Sequence, residues 1–509
     1  MKRIIGLLAC VTALLVPIGT AIAQEVRGDW WGVLQVSPGT KLTLAVHVKP
    51  AEGGGETLIG TFDSIEQRAL GIPMADIVAK DGKFAFKLPP VAGTFEGQWD
   101  AAAKAWRGIW SQNGMSWPLT LTQGTPPAVT APPPAAPLPA NWSIPDDAAI
   151  SGLIDTRIAD RKGEGIVIGV IEPSGRRTVA RGPVGGSMFD GRTLFEIGSM
   201  SKVFTALLLA DMALHKQVSL DDPAEKYLPA GAKMPERGGR KIMLRDLAMH
   251  VSGLPRLPDN MPFADMDDPY ADYGEAQLLE FLGRYRLTRD IGSQYEYSNF
   301  GVGLLGYLLA RAAGTDYETL LRQRIIAPLG MRDTSITLSD GQKTRFAQGH
   351  DAYMRPAKPW NLPVLAGAGG IRSTSDDMLK FLAATLDPKS VIGPATELTL
   401  ADRRDTGNQR NQTGLGWMIA KSPSGGELLF HGGGTGGFRT SMAIDRTKRR
   451  GVVVLTNAAV EPSADDLAIH LMLGTPVAPA GKVPPAPPPA KVRKEIKLPP
   501  AQLDRVTGT

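Results

Sequence analysis

Apolar and polar positions keep two different rhythms along this chain. From 41 to 48 (KLTLAVHV) they alternate with period two, the spacing of a strand with one buried face. Short segments of that kind recur to residue 124 between Gly-rich turns, with echoes at GTF 60–62, GTF 93–95 and GIW 108–110. Such a series predicts a small all-β barrel or sandwich over 24–124. From 146 to 475 both rhythms occur. Strand-length apolar runs lie at 165–172, 177–181, 427–431, 439–445 and 450–457, and helical periodicity covers 201–215, 275–285, 299–313 and 375–384. Strands at both ends with helices between them predict an antiparallel sheet completed by the two ends and flanked by helices, an α+β block. Pro/Ala-rich stretches bracket it, a stiff linker at 125–145 and a tail at 476–509.

Composition narrows the class. With 509 residues, 43% hydrophobic and 21% charged, the chain is an ordinary globular protein too long for one domain. The net charge is +5, yet the basic residues are scattered. Their densest cluster, RTKRR at 446–450, falls between two predicted strands and is read as a solvated turn, so no nucleic-acid partner is expected. Lys2 and Arg3 precede an apolar run at 4–16 and a small-residue site at Ala21-Ile22-Ala23. This is the pattern of a secretory signal peptide over 1–23 cleaved near Ala23. Its removal takes Cys10, the only cysteine, and with it any disulfide or thiol nucleophile. No later apolar run is long enough to span a membrane, so a secreted or periplasmic protein is expected.

The chemistry concentrates in FEIGSMSK, 195–202. A strongly apolar helical run follows, so Lys202 sits one helical turn after Ser199, with Cβ atoms about 5–6 Å apart. The amine therefore reaches the Ser199 hydroxyl, whereas Ser201 points about 100° away around the helix. A serine hydroxyl needs a base to become a nucleophile, and a buried lysine with a depressed pKa serves. The helix N-terminus adds free N–H groups that favour developing negative charge. A Gly-Ser pair capping a helix is the competing reading of Ser-x-x-Lys alone.

The octapeptide resembles the active-site signature of class C serine β-lactamases, within the penicillin-recognising serine hydrolases. Further segments of 146–475 follow in that family's order. Tyr297-Ser298-Asn299 resembles its Tyr-x-Asn element, which implies Tyr297 as a general-base partner of Lys202 and Asn299 as a hydrogen-bonding residue toward substrate. His431 to Phe438 (HGGGTGGF) resembles the Lys-Thr-Gly strand when aligned on Thr-Gly-Gly-Phe, with His431 in place of the lysine and Gly432 in place of the threonine. The resemblance implies that His431, Gly433 and Gly434 face substrate. It further implies that the Ser199 and Gly434 N–H groups form an oxyanion hole. LAMHVSGLP (247–255) and GAGGIRST (367–374) are also family-like, the first read as a turn shaped by His250 and Ser252, the second as backbone beside the cleft. The block at 24–124, opening on GDWWG (28–32), resembles the β-domain that precedes such hydrolases, its tryptophans read as core. The last residues, LPPAQLDRVTGT, resemble the truncated start of a further β-domain.

Other chemistries lack their residues. There is no Gly-x-Ser-x-Gly elbow, the six histidines show no metal-ligand spacing, and no phosphate or dinucleotide loop occurs. The expectation is a β-lactamase/transpeptidase-like serine hydrolase that forms an acyl-enzyme on Ser199 and hydrolyses β-lactam amides. An esterase or D-Ala-D-Ala carboxypeptidase or D-aminopeptidase of the same fold is the alternative, and a non-catalytic binder of cell-wall fragments the competing class. The partner is a small-molecule or peptidoglycan-derived substrate, no metal or organic cofactor is expected, and the oligomeric state is open.

Overall fold

The computed structural model describes residues 26–481 and 483, apart from 38–39, 52–56, 66–68, 89–92, 113–114, 127–138, 140–141, 184–187, 408–410 and 423–424. The segment 1–23 expected to be a signal peptide, most of the Pro-rich linker and the end of the tail lie outside the described residues. The chain divides into two compact units, residues 1–135 and 136–509.

The first unit is one antiparallel sheet of nine strands: β1 (Gly28–Ser37), β2 (Thr40–Pro50), β3 (Leu58–Ser64), β4 (Ala69–Pro73), β5 (Ala75–Lys80), β6 (Lys83–Leu88), β7 (Gly93–Asp100), β8 (Ala105–Gln112) and β9 (Met115–Gln123). Their order is β4-β3-β2-β1-β9-β8-β7-β6-β5, so the two edges are consecutive in sequence and joined through Met74. The Met74 N–H donates to the Gly60 carbonyl of β3 at 2.9 Å. The sheet thus curls into a nearly closed barrel, which protects its edges. Period-two alternation sends Trp30, Trp106 and Trp110 into the interior with Phe62, Phe84, Phe86 and Phe95. The Trp30 indole N–H donates to the Val26 carbonyl at 2.7 Å. Trp99 packs edge-on against Trp106, ring centroids 5.1 Å apart. These tryptophans are core.

The second unit is built on an eight-stranded antiparallel sheet. Its strands are β10 (Ile166–Glu172), β11 (Gly175–Arg181), β12 (Arg404–Asp405), β13 (Asn411–Thr413), β14 (Met418–Lys421), β15 (Glu427–Gly434), β16 (Arg439–Asp445) and β17 (Arg450–Thr456). The order is β11-β10-β17-β16-β15-β14-β13-β12, and Ile166 pairs with Thr456, so the two ends of the unit close the sheet. Both faces are covered. Ile166, Ile168, Val170, Val452 and Val454 pack under α1 (Asp147–Ile158) and the C-terminal helix Ala464–Leu473. Val167, Ile171, Val453 and Leu455 face the larger helical layer around α2 (Ser201–Leu214), which is buried on every side from Ser201 to Ala210. A helix that is apolar all round belongs in a core.

Three differences from the sequence reading have physical causes. Strand β15 runs on through the glycines to Gly434, because their backbone pairs with Arg439 to Met442 and needs no side chain. Arg450 is not part of a solvated basic turn; it is buried and donates to the Trp142 and Met472 carbonyls at 3.0 and 2.7 Å. Trp142 and Ile144, compositionally part of the linker, are anchored in the second unit. Ile144 joins the core under α1, and the Trp142 indole N–H donates to the Leu471 carbonyl at 2.9 Å. Trp142→Ala should therefore destabilise this unit by about 2 kcal/mol. The check is urea unfolding, where the midpoint should fall with an unchanged slope.

Candidate active site

The chain reaches the nucleophile region along a two-residue strand, Phe195–Glu196, paired with Arg372–Ser373. It then tightens into a 3-10 turn, Gly198–Met200, before α2 begins. Gly198 has φ +52°, and a Cβ there would lie 2.6 Å from the Gly434 nitrogen. A Cβ on Gly433 would lie 2.1 Å from the Ile197 carbonyl oxygen. Only glycines let β15 lie directly against this turn. The Thr440 hydroxyl, across the ladder from Gly433, locks the contact by donating to the Ile197 carbonyl at 2.9 Å.

Lys202, one turn into the helix, is fully buried. Its Nζ donates to Ser199 Oγ at 2.9 Å and to the Ala368 carbonyl at 2.7 Å. The latter belongs to the glycine-rich turn Ala366–Gly369, part of GAGGIRST. Neither partner is a carboxylate. Burial first, then the positive charge of Arg256, hold the amine well below the usual lysine range. Ser201 takes no part, since its hydroxyl accepts the Ile371 N–H at 3.2 Å.

Tyr297 stands two residues before the helix α3 (Asn299–Ala312), N-capped by Ser298. Three interactions fix this junction. The Ser298 hydroxyl donates to the Pro255 carbonyl at 2.6 Å, the Ser298 N–H donates to His250 Nδ1 at 3.0 Å, and the Asn299 and Phe300 N–H groups both donate to the Arg256 carbonyl at 3.1 Å. His250, buried and at φ +60°, stacks on the Tyr297 ring with centroids 4.4 Å apart. The Tyr297 hydroxyl hydrogen-bonds with Ser199, and its ring centroid is 4.9 Å from Lys202 Nζ. Burial pushes this phenol above its ordinary range, against the opposing hydrogen bond to Ser199 and the Arg256 charge. At neutral pH the tyrosine therefore keeps its proton, and the amine is the better base.

Asn299 directs its Nδ2 toward the Tyr270 hydroxyl at 3.4 Å, while its Oδ1 is buried with no partner among the described residues. His431 and Gly433 face inward from β15, and Gly432 faces outward. A Cβ at 432 would lie 2.6 Å from an Asp465 carboxylate oxygen, so a threonine there would have to displace that side chain. His431 is 4% exposed, with its ring 6.4 Å from that of Tyr297. Its Nδ1–H donates to the Gly432 carbonyl at 2.6 Å, leaving Nε2 as the acceptor. Burial, then the nearby Lys202, push its pKa down to about 4. His431 is thus neutral near pH 7 and supplies no cation. No group of three or more His, Cys, Asp or Glu able to hold a metal occurs among the described residues.

The structure brings Ser199, Lys202, Tyr297, Asn299, His431, Gly433 and Gly434 together. The sequence reading placed His250 in a turn, where it lies at φ +60°, but did not foresee its stack on Tyr297, and it did not single out Arg256, whose guanidinium lies 5.3 Å from the Tyr297 ring centroid. A ring stack between residues 250 and 297 has no local periodicity to reveal it.

The Beta-lactamase family profile matches residues 150–475. The D-alanyl-D-alanine-carboxypeptidase/endopeptidase AmpH of Escherichia coli (strain K12) is 31% identical over 278 residues, covering 52% of this chain and 70% of that protein. A beta-lactamase of Pseudomonas fluorescens is 27% identical over 314 residues, covering 55% of this chain and 84% of that protein. Among solved structures, a beta-lactamase/D-alanine carboxypeptidase from Yersinia pestis complexed with citrate is similar with TM-score 0.52 and 26% identity, covering 62% of this chain and 95% of that one.

The neutral state of His431 is directly measurable. Its imidazole NMR resonances should keep the values of the neutral Nδ1–H form from pH 8 down to pH 5, with a midpoint near 4. Because an unfolded histidine binds its proton at about 6.5, stability should fall as pH drops from about 6.5 toward 4. A midpoint near 6.5 would contradict the burial argument.

Proposed function

The chain belongs to the β-lactamase family, and on that premise we propose that it is an exported hydrolase that acylates Ser199 with β-lactams or D-alanyl peptides of the cell wall. The observation that carries this reading is the 2.9 Å contact between Ser199 Oγ and a lysine amine whose pKa burial holds well below the usual lysine range.

In the proposed reaction the Lys202 amine takes the Ser199 proton as Oγ bonds to the substrate carbonyl carbon. The oxyanion is held by the N–H groups of Ser199 and Gly434, a role supported by the close approach of Gly198 to the Gly434 nitrogen. Tyr297, which is protonated, gives its proton to the leaving nitrogen as the C–N bond breaks, and the Lys202 ammonium restores it. Water then attacks the ester carbonyl and frees Ser199. A purely binding protein would not require an amine of lowered pKa against the hydroxyl, and this favours catalysis over the non-catalytic reading.

Neutral His431 bears on the substrate. Without a fixed cation at that position, a substrate carboxylate, whether of a β-lactam or of a C-terminal D-alanine, loses one electrostatic contact there, which by itself favours the esterase alternative. The 31% identity with AmpH favours the D-Ala-D-Ala carboxypeptidase alternative instead. Export rests on the basic and apolar pattern at 1–23; among the described residues no helix is long and apolar enough to cross a membrane.

A panel of a chromogenic cephalosporin, a short-chain nitrophenyl ester and a D-Ala-D-Ala peptide decides the substrate. At least one should turn over, and Ser199→Ala should lower its kcat/KM by about 10⁴-fold or more. Undiminished turnover by that variant would refute the mechanism. For the wild type, kcat/KM should fall as pH decreases through a midpoint well below 10.5, because protonation removes the Lys202 base. Tyr297→Phe should slow turnover by about 10²-fold or more by removing the proton donor.

A further inference from the structure

Four basic side chains surround the candidate site, and three are unavailable to a substrate anion. Lys202 is buried and committed to Ser199 and Ala368. His431 is buried with Nδ1–H committed to the Gly432 carbonyl. Arg439, at the end of β15's partner strand, donates to the Thr435 and Phe438 carbonyls at 2.9 and 3.0 Å and lies 3.8 Å from the Glu461 carboxylate.

Arg256 differs. Its backbone is fixed, because its carbonyl accepts both N–H groups at the start of α3. Its guanidinium is exposed and lies against the Tyr297 ring, 5.3 Å from the centroid. Among the described residues no carboxylate lies within ion-pair distance of it, and no hydrogen bond occupies it. Several surface arginines of this unit are paired, Arg284 with Asp259 and Glu280, Arg355 with Asp351 and Arg403 with Glu427, and what sets Arg256 apart from those that are not is its place against the Tyr297 ring. A cation left without a counter-ion beside a nucleophile is a vacant anion site, with a planar donor fork suited to a carboxylate. Its charge also reaches Tyr270 and Tyr295, which marks that wall of the cleft.

We propose that Arg256 is the specificity-determining residue that binds a carboxylate of the substrate on the Tyr297–Tyr270 side of Ser199. It does the work that the position of His431 does not do in this chain. The proposal rests on the Ser199 reading above and extends it: the preferred substrates are anionic. An acidic acyl donor should be drawn in by the guanidinium and oriented by two parallel N–H···O bonds, while its neutral analogue is not.

The test uses two matched pairs that differ in a single carboxylate: a nitrophenyl hydrogen succinate against its methyl ester, and a chromogenic cephalosporin against its carboxylate methyl ester. The wild type should prefer the anionic member of at least one pair by about tenfold or more in kcat/KM, chiefly through KM. Raising the salt should erode that preference, because the group is exposed. Arg256→Gln should abolish the preference and Arg256→Lys should retain part of it. Calorimetric binding of the same pairs to Ser199→Ala protein reads recognition without chemistry, and the same order of affinities is expected, again lost with Arg256→Gln. A wild type indifferent to charge in both pairs, or a preference that survives Arg256→Gln, overturns the proposal. So does an equal loss on both members of each pair, which would mean that Arg256 only supports the Tyr297 ring. Failure of the Ser199 reading would look different: turnover would persist in Ser199→Ala while the binding preference still reported on Arg256.

Discussion

The burial of one amine governs the second unit. Lys202 lies inside a helix with no solvent-facing side, and its two partners, a hydroxyl and a carbonyl, carry no formal charge. An unpaired ammonium in such a place costs several kcal/mol, so the group yields its proton instead. Its neighbours are driven the same way. Burial raises Tyr297 and lowers both His250 and His431, so each is neutral near pH 7. The result is a neutral polar network around Ser199, with the Arg256 guanidinium at its edge against the Tyr297 ring.

That network depends on close backbone approach. Gly198 and Gly433 bring the nucleophile turn and β15 together at distances no side chain would permit. Farther out, Glu196 accepts from the Trp360 N–H at 2.8 Å and from the Arg372 guanidinium at 3.2 Å, tying the strand before Ser199 to the Trp360 loop and to its own partner strand. The departure from the family pattern at 432 has the same steric logic. The carboxylate of Asp465 occupies the space that a threonine would take. The departure at 431 removes a cation and replaces it with a buried neutral ring.

Much of this was legible in the sequence because it is local. Period-two alternation marked the strand at 41–48 of the first unit, strand-length apolar runs marked the central strands of the large sheet, and helical spacing put Lys202 one turn from Ser199. What escaped is non-local or depends on burial. The stack of His250 on Tyr297 and the lock from Thr440 to Ile197 join residues far apart in sequence. The short strands β12 to β14 have too few residues for a rhythm. Trp142 and Ile144 sit among prolines and alanines, so composition assigned them to the linker although both are anchored in the folded unit. Nor does a histidine letter reveal its charge: that of His431 follows from the walls around it.

The central claim is that Lys202 prepares Ser199, and no other group, for acylation. Its most direct measurement is intact-protein mass spectrometry after brief exposure to a β-lactam, followed by peptide mapping of the adduct. The account predicts one adduct per chain, on Ser199, formed ever more slowly as pH is lowered. An adduct on Ser201 or on a residue outside FEIGSMSK, or labelling indifferent to pH, would contradict it.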